Sequence, residues 1–170
     1  MTAGQDPDDP LAGRHQHQND FWRFSLAIYG QPGVAGECLG LQDKFGLNIN
    51  LLLFCAWLGR RGIVLTREDL EGASRSIASW HDQVVRPLRG VRRHMKLHHA
   101  DMSALRAQVQ RAEIEAEQAE QAMLFDYARN IAPSDERDAV AHNVNEYLVM
   151  LSGGEAGAPV LIGAARNQRP

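Results

Sequence analysis

Apolar residues recur at the three-to-four spacing of an α-helix from about residue 20 onward, and no stretch alternates with the period of two that marks a strand. In "DFWRFSLAIYGQPG", Phe21, Phe24 and Ile28 share one face, with Asp20 as the expected N-cap and Gly30 as the stop. Pro32 suits the first turn of a second helix, in which Val34, Cys38, Leu41 and Phe45 form a stripe. Gly46 can end that stripe in the left-handed conformation. Asn48 is placed to cap a third helix, where Leu51, Leu52, Cys55 and Leu58 cover one face and Phe54 and Trp57 widen it until Gly59 and Gly62. Apolar cover this broad predicts a central, buried helix.

Thr66 with Asp69 opens a fourth helix over Leu70, Ala73, Ile77, Trp80 and Val84, kinked or ended near Pro87. A short basic segment follows, with Leu88, Val91 and Met95 on one side. From Asp101 runs the longest periodic stretch, Leu105, Val109, Ala112, Ala116, Ala119 and Met123; its small residues permit a close approach and mark an expected seam for a homo-oligomer. Pro133 ends it and Ser134 caps a last helix carrying Val140, Val144, Tyr147, Leu148 and Leu151. The expected fold is all-α, a compact bundle of about six helices over residues 19–152. Residues 1–18, rich in Asp, Pro, Gly, Gln and His, are expected as a disordered tail, and 153–170 as a flexible C-terminal one.

Composition narrows the class. The 170 residues are 44% hydrophobic and 23% charged, with a net charge of -3, which suits one core-forming domain and argues against nucleic acid as a partner. Cys38 and Cys55 form neither a CxxC pair nor a disulfide framework, so reduced, buried thiols are expected. The N-terminal segment has no apolar core of a secretory signal, and the apolar run Leu51 to Leu58 is far short of the ~20 residues of a membrane span. A cytoplasmic protein without a membrane span is the expectation.

Candidate chemistry gathers at the corner between the second and third helices. Gln42 and Asp43 close one helix, Asn48 and Asn50 open the next, and Glu37 lies close enough along the chain to join them. Two readings stand side by side. The polar groups can be a hydrogen-bonded corner that fixes the helix pair. Alternatively, with Trp22, Tyr29 and Trp57 they line a pocket that orients a ligand or accepts a proton. His94 and His98 at i, i+4, followed by Asp101, form a weak metal candidate, although histidines at a helix end also suit the macrodipole.

Arg86, Arg89, Arg92, Arg93 and Lys96 make a basic patch, and Glu113, Glu117 and Glu120 an acidic face on the long helix. Mutual neutralisation is the default; an anionic partner is the alternative. No nucleophile elbow, phosphate-binding loop or paired Glu-x-x-His is present, so no cofactor is expected and no catalytic residue is assigned.

The segment from Phe21 to Gly59, with Trp22, Leu26, Tyr29, Pro32, Gly33 and Val34, then "CLGLQD", then Gly46, Asn48, Asn50 and "NLLLFCAWLG", resembles a proteobacterial family of small helical proteins known only as a domain of unknown function. Its signature is CLxLQDxxGxxxNLLLxCxWLG, with looser similarity through "VRPLRGVRRHMK" and "AEIEAEQAEQAML". The resemblance implies a helical fold and no particular activity. The function expected is a non-catalytic binding or adaptor protein that engages a protein partner or a small apolar ligand at the 22–58 corner. The alternative is an enzyme or enzyme subunit using Glu37, Asp43 and Asn50 in an aromatic-lined cleft.

Overall fold

A computed structural model describes residues 19–134 and 139–168, and every regular element among them is helical. They are α1 (Asp20–Tyr29), α2 (Val34–Phe45), α3 (Ile49–Arg60), α4 (Arg67–Trp80), α5 (Arg86–His98), α6 (Ser103–Tyr127), α7 (Ala139–Ser152) and α8 (Pro159–Asn167). The bundle expected from periodicity is the bundle found. The stretch 1–18 lies outside the described residues.

Helix α3 is the axis. Every residue from Asn50 to Gly59 is buried, and α1, α2, α6, α7 and α8 pack around it. Gly46 holds φ 67° and the Asn48 side chain accepts from the N–H groups of Asn50 and Leu51, so the α2–α3 corner is made as the sequence indicated. Thr66 and Asp69 form a reciprocal capping box at α4. At α1 the cap is Asn19, one residue before the expected Asp20: its carboxamide accepts from Trp22 N at 2.8 Å. Pro32 precedes the second helix, whose N-cap is Gly33 at φ 84°.

Pro87 does not end its helix. The chain runs from Arg67 to His98 through a π-helical turn, His81–Val85, in which Arg86 N–H reaches back to the carbonyl of His81. The widened turn shifts the carbonyls that a proline ring would otherwise strike, so the helix passes into α5 with Pro87 in its first turn.

Two further expectations need correction. The 153–170 tail contains α8, whose Leu161 and Ala165 are fully buried against α1, α2, α3 and α7. Its run of Gly and Ala hid the periodicity. On α6, Glu113, Ala116, Glu120, Gln121 and Leu124 point inward, while Leu105 and Met123 of the small-residue stripe are exposed. Ser134 bonds to the loop before α4, accepting from Val64 N at 2.8 Å and donating to Gly62 O at 3.2 Å.

Candidate functional site: two cavities around one corner

The α2–α3 corner separates two cavities. The first is a cleft of about 450 Å³. Trp22, Leu26 and Tyr29 flank the buried face of α1 at i, i+4, i+7 and form one wall; Leu39, Ile49 and Leu53 continue it. The opposite wall is the inward face of α6, where Gln110, Glu113, Ile114, Glu117 and Gln121 succeed one another at helical spacing. Two buried polar side chains in this lining have unsatisfied atoms. Ser25 Oγ and Gln121 Oε1 have no hydrogen-bond partner, although Gln121 donates through Nε2 to Asn50 Oδ1 at 2.8 Å.

At one end the cleft meets an ion-pair network. Glu113, almost buried, accepts from Arg89 Nε at 3.2 Å and from both Nε and Nη2 of Arg92; Glu117 accepts from Arg89 Nη2 at 2.5 Å. Burial holds the Glu117 carboxyl above its ordinary range, with Arg89 pulling the other way. The hydrogen bond to Glu113 raises Arg92, and burial raises the Tyr29 phenol. The basic and acidic helices thus neutralise one another, and Arg89 and Arg92 are not a free patch. Arg93 pairs with Asp43 at 2.6 Å and Arg86 with Asp82 at 3.0 Å, both on the surface.

The second cavity, about 620 Å³, opens between the α2–α3 corner, the π-helical turn, α5 and α7. Here Asn48 is the junction. Its Oδ1 caps α3, its Nδ2 reaches Glu120 Oε1, and its backbone N–H and carbonyl both meet the Tyr147 hydroxyl at 3.2 Å. Glu120 is fully buried, and its other oxygen lies 3.1 Å from His81 Nδ1.

The predicted site residues are therefore divided. Trp22, Tyr29, Gln42 and Asn50 line the cleft; Gln42 and Asn48 line the second cavity. Trp57 does not line either: it packs in the core against Phe21, Phe54 and Phe125. Glu37 faces away, its two oxygens accepting from Val160 N and Leu161 N at 3.0 and 2.7 Å, so that a carboxylate caps α8. With Asp43 exposed on Arg93, the trio Glu37, Asp43 and Asn50 is not assembled, and the enzyme arrangement built on it is absent. Lys96 is exposed.

His94 and His98 stack with ring centroids 4.7 Å apart at the exposed end of α5, but among the described residues no three ligating side chains, Asp101 included, converge on one point. Burial, with Glu37 beside it, pushes the Cys38 thiol up to about 12, and burial also raises Cys55, so both are poor nucleophiles.

Sequence reading missed Ser25, His81, Gln121 and Tyr147 as members of these cavities, and Glu120 as the buried carboxylate behind one of them. The only available signal was the line Glu113, Glu117, Glu120 on one helical face, which reads equally well as a solvated surface.

The fold and its corner define a small all-α protein, a helical bundle with an aromatic-walled cleft and a polar cavity on either side of one capped corner. The chain belongs to the family described as Protein of unknown function (DUF2390), matched over residues 20–124, which takes in the corner, the π-helical turn and nearly all of α6. No curated protein and no solved structure matches it. Among the described residues no helix is long and apolar enough to cross a membrane.

Proposed function

We propose that this protein is a non-catalytic binding module whose ligand is a small, largely apolar molecule bearing a hydrogen-bond donor, seated in the cleft between α1, α3 and α6. The observation that carries this reading is the pair of orphaned polar atoms. A buried polar group without a partner costs about 1–3 kcal/mol, and a ligand that reaches these two atoms recovers that cost. Gln121 Oε1 can only accept, so the ligand must donate; Ser25 Oγ can do either. Trp22 and Tyr29 supply flat apolar area, and the Arg89–Glu113–Arg92 network closes one end.

Leu26 and Leu39, exposed on the rim, favour a second reading in which a partner polypeptide inserts an apolar side chain into the same cleft. Both readings have the protein working in the cytoplasm, where buried free thiols stay reduced.

Native mass spectrometry of protein purified from its own host, beside a denatured spectrum, tests the assignment. A small excess mass lost on denaturation is the expected result; a co-purifying polypeptide selects the second reading. Ile114→Arg, placed on the partly exposed wall, should abolish either complex while leaving the melting temperature nearly unchanged. A bare chain that also fails to show any change in Trp22 fluorescence with apolar probes overturns both.

A further inference from the structure

The polar cavity plays no part in that reading, and its chemistry is different. His81 opens the π-helical turn, a backbone form rare in proteins and frequent at functional sites. Behind the ring stands Glu120, fully buried, with His81 Nδ1 at 3.1 Å from one oxygen and Asn48 Nδ2 on the other. Asn48 Nδ2 also lies 2.9 Å from His81 Nδ1. A carboxylate can only accept, so the consistent assignment has both nitrogens donating to Glu120. In the neutral ring that donation puts the proton on Nδ1 and leaves a lone pair on Nε2, on a residue that lines the cavity.

The charged lining is Arg86, Arg89 and Arg93 against a single acid, Asp82. Arg89 is committed to Glu113 and Glu117, whereas Arg86 and Arg93 are held only by exposed pairs with Asp82 and Asp43. Exposed pairs of this kind are weak, and an anion entering the cavity can take over the guanidinium donors. Leu47, Leu51 and Ile77 add apolar lining.

We propose that this cavity binds a small oxyanion that carries its own O–H, a hydrogen phosphate or an organic hydroxy acid, with the anionic oxygens on Arg86 and Arg93 and the hydroxyl donated to Nε2 of His81. The lone pair makes the site selective. Sulfate, with the shape and charge of phosphate but no proton to give, sets an oxygen lone pair against Nε2.

The test is a set of titrations of the isotope-labelled full chain at mildly alkaline pH, followed by NMR at His81 and the cavity arginines. Phosphate is compared with sulfate, and mandelate with phenylacetate, which lacks only the hydroxyl. Saturable binding is expected for phosphate, mandelate or both, with the hydroxyl-free counterpart at least about tenfold weaker. Phosphate alone identifies an inorganic anion site, and mandelate alone an organic acid site. His81→Phe should abolish the discrimination. Glu120→Gln frees the ring to place its proton on Nε2 and should let sulfate bind as tightly as phosphate; if that variant does not fold, the wild-type comparison still decides. Equal binding within both pairs, or no saturable shift with any of the four ions, overturns the proposal.

Discussion

Asn143 shows how much one buried amide can hold. Its side chain is fully enclosed; Oδ1 accepts from Leu65 N at 2.8 Å, and Nδ2 donates to Ile63 O at 2.8 Å and Cys55 O at 3.2 Å, tying the loop after α3 to α7. Asn143→Leu keeps the volume and strands two loop backbone groups, Leu65 N and Ile63 O. The expected loss is about 3 kcal/mol of unfolding free energy in urea titration, and a loss below about 1 kcal/mol would show that water replaces the amide. Asn48 is tied down similarly, but its partners differ in kind: a helix terminus, a tyrosine hydroxyl and a buried carboxylate. Asn48 therefore caps a helix with its oxygen and holds a buried carboxylate with its nitrogen. Sequence alone could place the cap, because capping is local. It could not place Glu120, because that contact joins residues 72 positions apart.

At the scale of elements, α7 comes against α3 with no spare room where Gly59 faces Val140. A methyl group added at Gly59 would sit 2.5 Å from Val140 Cα and 2.6 Å from its nitrogen, so the two helices would have to separate. Gly59→Ala should therefore lower stability by about 1–3 kcal/mol, read as a fall in melting temperature, although alanine is the better helix former. An unchanged or raised melting temperature would contradict that approach. The helices most legible in sequence were those with strong local punctuation: Gly46 and Asn48 at α3, Thr66 and Asp69 at α4. The π-helical turn was not, since an extra residue in one turn barely disturbs hydrophobic spacing and Pro87 reads as a breaker. On α6 the pairing of acids with the basic helix was legible as charge segregation, whereas which of those acids would be buried was not.

For the molecule as a whole, the interlock of α5 and α6 ties stability to pH. Burial holds the Glu117 carboxyl above its ordinary range, so the native state keeps a proton that the unfolded chain has already released. Stability from that proton is complete below the unfolded pKa and is lost as pH rises through the folded one. Glu117→Gln cannot ionise and should flatten that fall, which urea midpoints measured from about pH 4 to pH 7 would reveal. A difference from wild type that is the same at every pH would exclude this origin. The bundle itself was evident from periodicity, and its closure by α8 was not. That closure has a consequence for how the protein is made. The groove lined by α1, α2 and α3 is synthesised early, while Val160 and Leu161, whose amides Glu37 holds, leave the ribosome more than a hundred residues later. Throughout that interval the nascent chain presents an unfilled slot shaped for its own last helix.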